Sequence, residues 1–502
     1  NTAVGRDAMT ANTTGIQNVA IGRNSLDANT TGNYNTSIGV NAMTTSTTGG
    51  NNTACGKSAL GSNTDGNDNT AVGHYALGTS STGLQNVGVG CSALTAATGA
   101  HNNVAVGYHA MVATTTGSFN TGVGLVALQA NTTGAQNVAV GYRALASNTT
   151  ASFNTAIGDG CLDTNTTGTG NVAVGSEALA ANTTADFNTA VGKSALLSNT
   201  TGTFNTAVGR ESLKSNTTAD HNTGFGQRSL ALTTTGAHNT AVGGNSLYAN
   251  TTGASNVAVG SLALTANTTA SDNTAVGKSA LTNCTTGHIN TAIGSLAGED
   301  LTTGQSSVFV GSAAGGDCTT GDFNVLLGEA AGRGVTTGSQ NICIGHDAGR
   351  SSSPTGNLTT ESNQICMGNN NHTDFKCKIS LTVTSDKRDK TDITDFTHGL
   401  SWITKLRPVT YRWDMRSKYE DGIPDGSKKE DQLNIGLIAQ EELEVEKEHG
   451  FANDKNDMLI TTENSDGNYG MSYERLAPIL INAVKELSAQ NEALVARITA
   501  LE

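Results

Sequence analysis

The chain is poor in aromatic side chains, in charged side chains and in proline. Aromatic residues make up 4% and charged residues 14% of the 502 residues, and there are only 4 prolines. A composition dominated by Gly, Ala, Asn and Thr is typical of disordered chains unless a strict period indicates an ordered repeat. No apolar run approaches the roughly 18 residues of a membrane-spanning helix, and no signal peptide is recognisable. The net charge of −14 disfavours non-specific binding to nucleic acid.

A strict period is the dominant feature of the sequence. A 17-residue unit, idealised as N-T-A-V-G-x-x-A-L-x-x-N-T-T-G-x-x, repeats from residue 1 to about residue 350 without insertion or deletion. We number its positions as slots one to seventeen; only Ser307 interrupts the series of slot-one Asn residues. One unit cannot bury its apolar side chains alone, so successive units must stack as coils of a solenoid. Residue 1 falls on slot one and is not Met, so we expect the sequence to be part of a longer chain.

The predicted fold class is mostly β: a β-solenoid or β-roll shaft of 17-residue coils, followed by a small α+β domain. Each unit has too few large apolar residues for a helical stripe, so we expect two short strands per coil. We expect the aliphatic residue of slot four, such as Val4, and the Leu or Met of slot nine, such as Leu26, to point into the coil. The small residue of slot three is expected to face away, towards another backbone.

Two residue types indicate how the coils stack. Gly occupies slot five in every copy, from Gly5 to Gly345, which predicts a positive φ or steric crowding there. Slot-one Asn residues, stacked on one another, predict an Asn ladder. From residue 290 slot nine becomes Gly, as at Gly298, and slot three grows, as at Phe309, so the core must be rearranged. The predicted domains are residues 1–289 (repeat shaft), 290–380 (variant repeats at the distal end of the shaft) and 381–502.

Cysteine and histidine spacing predicts neither a metal site nor a cofactor. The 8 cysteines include no CxxC pair and no zinc-binding spacing. Cys343 and Cys366 occupy equivalent slots and could pair, although free buried thiols are the favoured interpretation. His221 and His238 share slot seventeen, where a metal ladder is one interpretation and a variable surface position is the favoured one. Asn-Thr-Thr triplets match the N-glycosylation pattern, but they also form the turn of the repeat.

The sequence changes character near residue 380, where charged residues, both tryptophans and longer apolar stretches begin. Leu381–Val383 predicts a strand that leads into S-D-K-R-D-K, and a terminal helix begins near Pro478, which suits a first helical turn. Leucines spaced by seven form the a/d seam of a coiled coil at about 473–502, in which a polar Asn491 would fix the register. The alternative is a helix docked on its own domain. The predicted trimerisation residues are Leu480, Val484, Leu487, Asn491, Leu494, Ile498 and Leu501.

The C-terminal domain resembles the intramolecular chaperone auto-processing domain of phage tail fibres, tail spikes and endosialidases. Four stretches carry the resemblance in the expected order: S-D-K-R-D-K, L-R-P-V-T-Y-R-W, G-L-I-A-Q-E and Y-E-R-L-A-P-I-L-I-N-A-V-K-E-L. The resemblance implies a domain that trimerises, guides folding of the β-rich rod before it, and then cuts the Thr384–Ser385 bond. It implies Ser385 and Lys390 as the catalytic pair, with Asp386 and Arg388 in support. The repeats resemble, more loosely, the β-roll heads of trimeric bacterial adhesins, whose usual coil is shorter.

The chemistry of these residues agrees with that role. A Ser hydroxyl is a weak nucleophile and needs an adjacent base. A Lys can serve as that base when burial or a nearby cation favours its neutral form, and Lys387, Arg388 and Lys390 crowd together. A single-turnover cut needs no substrate pocket, so we expect an autoprotease and no turnover enzyme. Without the resemblance, the segment would be interpreted as a charged surface turn.

Together these features predict a structural viral fibre or spike: a homotrimer assembled in the host cytoplasm, carried on the virion and attached to a host receptor or glycan. Neither nucleic-acid binding nor membrane insertion is expected. The alternative is an extracellular, cell-surface trimeric adhesin, which needs a membrane anchor. A third interpretation is a fragment of a glycan-degrading tailspike, which needs paired carboxylates, whereas the acidic residues of the shaft lie at irregular slots. An ice-binding solenoid is a fourth, but its Thr ladders would here belong to a turn.

Overall fold

The computed structural model describes residues 1–372, 375, 376, 378, 383–420, 422–463 and 467–501. The chain divides into two compact units, Asn1–Asn324 and Val325–Glu502. The first unit consists of solenoid coils, and the second contains further coils and a small α+β region. The predicted mostly-β fold class is therefore confirmed, while the predicted domain boundaries at 289 and 380 stay predictions.

The first unit is a parallel β-solenoid. Neighbouring strands pair in sequence order and without a shift of register, so each strand residue lies beside the residue 17 positions further on. Its strands are β1 (Thr2–Val4), β2 (Val19–Ile21), β3 (Thr36–Ile38), β4 (Thr53–Cys55), β5 (Thr70–Val72), β6 (Val87–Val89), β7 (Val104–Val106), β8 (Thr121–Val123), β9 (Val138–Val140), β10 (Thr155–Ile157), β11 (Val172–Val174), β12 (Thr189–Val191), β13 (Thr206–Val208), β14 (Thr223–Phe225), β15 (Thr240–Val242), β16 (Val257–Val259), β17 (Thr274–Val276), β18 (Thr291–Ile293) and β19 (Val308–Val310).

The prediction of two strands per coil was wrong, because each described coil has one. The opposite side of the coil turns too tightly for extended backbone. Slots seven and nine both lie in the left-handed region, as at Arg143 (φ 57°) and Leu145 (φ 52°). Backbone bonds still join the coils on that side: Leu145 N–H donates to the Cys161 carbonyl at 3.0 Å.

The second unit begins with three parallel strands and continues as an α+β region. Two antiparallel strand pairs lie in that region. The predicted strand Leu381–Val383 falls largely outside the described residues. The elements are β20 (Val325–Leu327), β21 (Ile342–Ile344), β22 (Ile365–Met367), α1 (Leu400–Ile403), β23 (Val409–Tyr411), β24 (Asn434–Gly436), α2 (Ala439–Glu448), β25 (Thr461–Glu463), β26 (Tyr469–Met471) and α3 (Leu476–Thr499), with 3₁₀ helices at Lys387–Asp389, Arg416–Lys418 and Tyr473–Arg475.

The predicted direction of the strand side chains was wrong. Slot three is buried, with Ala139 fully inaccessible, and slots two and four face outwards, with Ile157 41% exposed. The Leu of slot nine does point inwards, as predicted, and it fills the coil. Only a small slot-three residue fits beside it: a Cβ added at Gly122, in slot three, would lie 2.8 Å from Cγ of Met111, in slot nine. Close packing, not the size of the strand residue, therefore decides which face is inside.

The core is rearranged after residue 290, as predicted. Phe309 in slot three is fully buried, and Gly298 in slot nine lies in the left-handed region (φ 58°). A Cβ on Gly298 would lie 2.8 Å from Cδ2 of Phe309. The apolar bulk of the coil has moved from slot nine to slot three, and glycine makes room for it.

The slot-five glycine is required for both predicted reasons. Gly141 has φ 138°, and a Cβ on it would lie 2.4 Å from the carbonyl oxygen of Gly158 in the next coil. Any other residue would strain the backbone and push two coils apart.

The predicted Asn ladder of slot one is confirmed. Asn137 is fully buried; its backbone N–H donates to Oδ1 of Asn120 at 3.0 Å, and its Nδ2 donates to the carbonyl of Ala151 at 2.9 Å. Each side chain thus joins its own coil to the next coil. Ser307 keeps the series intact, since its Oγ accepts the backbone N–H of Asn324 at 3.0 Å.

A second buried ladder, which the sequence analysis did not identify, runs through slot twelve. Nδ2 of Asn148 donates to Oδ1 of Asn131 at 2.9 Å and to the carbonyl of Ala151 at 3.0 Å. The slot-twelve Asn is the first residue of the Asn-Thr-Thr triplet. Where this amide is buried and hydrogen-bonded, as at Asn148, it is not accessible for N-glycosylation in the folded coil.

Replacing one slot-one Asn should destabilise the shaft by the free energy of unmet hydrogen bonds. Asn137→Ala leaves the buried N–H of Asn154 without its partner, at about 1–3 kcal/mol, and removes one of the two donors to the carbonyl of Ala151, which keeps Asn148. Asn137→Ser should cost less, because Ser307 shows that a hydroxyl can replace the amide oxygen. The measurement is the unfolding midpoint by circular dichroism. Thr133→Ala, at an exposed slot-fourteen position, is the control; equal effects of Thr133→Ala and Asn137→Ala would contradict the prediction.

Candidate functional site

Ser385 and Lys390 lie in contact at the start of the α+β region. Nζ of Lys390 is 2.5 Å from Oγ of Ser385. The 3₁₀ helix Lys387–Asp389 makes this contact possible, because it reverses the chain between the two residues. Both side chains are exposed, as is Thr384. The arrangement places an amine where it can accept the proton of the hydroxyl, next to the Thr384 carbonyl.

Asp386 and Arg388 shape this turn. Oδ1 of Asp386 accepts the backbone N–H of Arg388 at 2.9 Å and caps the 3₁₀ helix. Nη2 of Arg388 lies 2.6 Å from Oδ2 of Asp386, and this guanidinium holds the pKa of the carboxyl below its usual range. The positive charge of Arg388 is therefore paired with Asp386, and the two residues together position the turn; their supporting role in a cut stays a prediction.

Behind the turn, an aromatic and aliphatic core holds the α+β region together. Its buried members are Trp402, Val445, Ile460, Leu476 and Ile479. Trp402 on α1 packs against His449, which follows α2, with ring centroids 4.6 Å apart. The core thus joins the short α1 helix to α2 and α3.

Two buried carboxylates of α2, which the sequence analysis did not identify, border this core. Glu446 is fully buried and accepts the backbone N–H groups of Leu459, Ile460 and Thr461 at 2.7–3.0 Å, so it clamps the start of β25 onto α2. Glu442 is 1% exposed, and its Oε1 accepts Nε1–H of Trp402 at 2.8 Å. Its Oε2 has no hydrogen-bond partner among the described residues.

Glu442 makes the stability of this region depend on pH. Burial raises its pKa from the ordinary 4.5 to about 7, the Trp402 bond opposes the rise and the charge of Glu446 adds to it. The folded chain therefore holds this proton more tightly than the unfolded chain does. Its stabilising effect is complete below pH 4.5 and is lost as the pH rises to about 7.

Glu442→Gln should remove most of this pH dependence, because it cannot ionise and its amide oxygen can still accept from Trp402. Between pH 5 and pH 8 we expect the unmodified region to lose on the order of 1–3 kcal/mol that the variant does not lose. Tryptophan fluorescence during thermal unfolding measures it, since both tryptophans lie in this region. Glu444→Gln, at an exposed position of the same helix, is the control, and an unchanged pH dependence in Glu442→Gln would contradict the assignment.

One stripe of helix α3 packs against the core of its own region, while the stripe of heptad residues is exposed. We call this exposed stripe, the seven predicted trimerisation residues, the heptad face. Leu476, Ile479 and Ala483 are buried against the region's own core. The predicted trimerisation residues form the adjacent stripe of the helix, since successive residues are about 100° apart. All seven are exposed, for example Leu480 48%, Val484 64%, Leu487 48%, Leu494 52%, Ile498 50% and Leu501 87%. Helix α3 therefore docks on its own domain by one stripe and leaves the adjacent heptad stripe exposed.

The remaining candidate residues form no site in the described part of the chain. Cys343 and Cys366 are register neighbours on β21 and β22, both buried and both free thiols. His221 and His238 stack with ring centroids 5.0 Å apart on the surface of slot seventeen. Among the described residues no cluster of three or more His, Cys, Asp or Glu could hold a metal ion. None of the described helices is long and apolar enough to cross a membrane.

Fold and site together define a β-solenoid shaft followed by a small domain with a Ser–Lys pair at its first residues. Residues 385–451 match the family described as chaperone of endosialidase, so the match begins at Ser385 and includes Lys390. The C-terminal region is therefore a chaperone domain of this family, and its place behind a solenoid is that of a tail-fibre or spike-like protein. Comparison with curated proteins and with solved structures found no match.

Proposed function

We propose that the chain is the shaft of a viral tail fibre or tail spike, a homotrimer whose C-terminal domain holds three copies together while the coils form and then cuts itself off. The observation that carries the proposal is the contact of Ser385 with Lys390 at the start of the matched domain. The free heptad face of α3 supports self-association, because soluble proteins rarely leave a stripe of Leu and Ile in water.

The physical task of the domain is to set register. Identical coils can associate with a partner displaced by one unit at little cost, because the same residues meet again. Copies joined at their C-terminal ends start in register, and the coils then form from that end. Removal of the domain afterwards leaves the assembled shaft kinetically trapped.

The cut needs only residues of the turn and one water molecule. Oγ of Ser385 attacks the carbonyl carbon of Thr384 while its proton passes to Nζ of Lys390. The peptide C–N bond breaks, the proton is returned to the amine of Ser385, and an ester joins Thr384 to Oγ. Water then hydrolyses the ester to a Thr384 carboxylate and a free Ser385 hydroxyl. Because this site is exposed in the single chain, we expect the cut to follow assembly, which removes the turn from bulk water.

The shaft would act on the virion, assembled in the host cytoplasm, and would present its surface to a host receptor or glycan. The alternative function for the same trimeric shaft is that of an adhesin, which would lie outside the cell on the cell surface.

Substitution of the pair should stop the cut without preventing assembly. Ser385→Ala removes the nucleophile, and Lys390→Arg keeps the charge but removes the base. Each should slow cleavage by at least about 100-fold. A denaturing gel of purified chains against time measures it. Lys429→Ala, an exposed Lys of the same region outside this turn, should cleave like the unmodified chain. Release of the same fragment from Ser385→Ala would exclude this mechanism.

The heptad face should be needed for trimer formation. In the uncut Ser385→Ala chain, Leu487→Asp with Leu494→Asp places charges in the seam, where an unpaired buried charge costs several kcal/mol. Light scattering should then give the mass of a monomer in place of a trimer. The control is Ala489→Asp with Ala496→Asp, on the opposite side of the helix. A trimer that survives the seam substitutions would show that α3 does not join the copies.

A further inference from the structure

The outward side of the strands forms one continuous uncharged surface in the first unit, with a row of Val and Ile beside a row of Thr and Val. We call it the strand face: the slot-two and slot-four side chains of β1–β19. Slot four is half-exposed or exposed along its length, for example Val4 (57%), Ile38 (37%), Ile157 (41%) and Ile293 (43%). Strict register between all neighbouring strands aligns these side chains in two unbroken rows.

The composition of the strand face differs from that of the rest of the shaft surface. Slot two holds only Thr or Val, and slot four only Val or Ile apart from Cys55 and Phe225. No charged residue occurs at either slot in the nineteen strands, although the chain carries 70 charged residues, 28 basic and 42 acidic. Charges of the shaft lie elsewhere on the coil, as in the Arg228–Glu211 pair of slot seven.

The strand face is too large to be left in water. Nineteen strands at about 4.8 Å make two rows about 90 Å long and roughly 7 Å apart. That is on the order of 600 Å² in projection, and more with the relief of the side chains. The Val and Ile side chains and the Thr methyl groups make much of this area apolar, and soluble monomers rarely expose large apolar patches. One side of a standard protein interface buries about 800 Å². The area is therefore that of one side of an interface.

We propose that the strand face is the surface through which copies of this chain associate along the shaft. This rests on the proposed homotrimer and names the surface that joins its shafts. Two rows of β-branched residues with a 4.8 Å period are matched, side chain for side chain, by a second surface with the same period, and another copy of the chain supplies one. A face only two side chains wide suits an axis shared by three copies, each touching both others.

The proposed cut makes such a surface necessary. The heptad face of α3 leaves with the C-terminal domain, so a shaft that stays trimeric after the cut must hold itself together. The strand face is the part of the first unit whose area and lack of charge fit that task.

Cys55 offers a test in the natural sequence, because it is an exposed slot-four residue of β4. If copies meet in register along the strand face, their Cys55 thiols come together. A short bis-maleimide should then give crosslinked dimers on a denaturing gel, and Cys55→Ser should abolish them. A chain with Cys55→Ser and Thr48→Cys should not crosslink, because its thiol lies at an exposed slot-fourteen position outside the strands.

The outcomes separate this inference from the proposed function. A trimeric mass by light scattering without Cys55 crosslinks, or with crosslinks only at Thr48→Cys, would overturn the strand face as the contact surface. A monomeric mass would overturn the homotrimer itself. Inhibition of ice recrystallisation by the unmodified chain would show the face open to water, and would also count against the inference.

Substitutions along the face give a second measurement. Ile157→Lys with Ile293→Lys, in the uncut Ser385→Ala chain, should lower the temperature of trimer dissociation by several degrees without unfolding the coil, because slot four lies outside the coil's own core. Thr167→Lys with Thr303→Lys places the same charges in the same coils at exposed slot-fourteen positions and should leave that temperature unchanged. Equal dissociation temperatures for the two variants would overturn the proposal.

Discussion

The shaft depends on the buried amide of slot-one Asn. Stacked coils bury backbone donors and acceptors that water cannot reach, and each must find a partner. One Asn side chain accepts a backbone N–H from the following coil. It also donates to the slot-fifteen carbonyl near the end of its own 17-residue unit, as at Asn137. This link sets the path of the chain around the coil, and it leaves only a narrow interior for Leu and Ala. A chain with 4% aromatic residues can be ordered because polar ladders supply what a large apolar core would otherwise provide.

The period predicted much of this architecture. The slot-one ladder, the slot-five glycine, the inward slot-nine Leu and the altered core after residue 290 all follow from residue types at fixed spacing. The period did not predict which strand side chains point into the coil, because the size of Val140 suggested an inward position. The interior was already filled by residues such as Leu145, which only the three-dimensional packing reveals. The tight turn opposite the strands was hidden for a related reason: Leu in the left-handed region contradicts its local preference.

In the C-terminal region the sequence predicted the Ser385–Lys390 pair but not the buried carboxylates. Ser385 and Lys390 were paired by resemblance, and the turn that brings them to 2.5 Å is built by Asp386, whose capping role is local. The buried carboxylates were missed, because Glu442 and Glu446 stand in a helix with several other Glu residues and nothing in their spacing marks them as buried. Their burial depends on the distant Trp402 and on the β25 backbone, contacts that a single sequence does not encode in any short pattern.

At Gly298 and Phe309 the large core residue changes from slot nine to slot three, and this exchange divides the coils into two kinds of building block. A coil with Leu in slot nine and Ala in slot three can follow any other coil of that kind, so gain or loss of one whole unit leaves every contact satisfied. The shaft can therefore change its length in whole units at little energetic cost, much as a chain of identical links does. Coils on the far side of the exchange are not interchangeable with these, since Phe309 needs the missing side chain of Gly298 beside it. Variation in length should accordingly be confined to the part of the shaft before that exchange, while the part next to the chaperone domain keeps a constant number of coils.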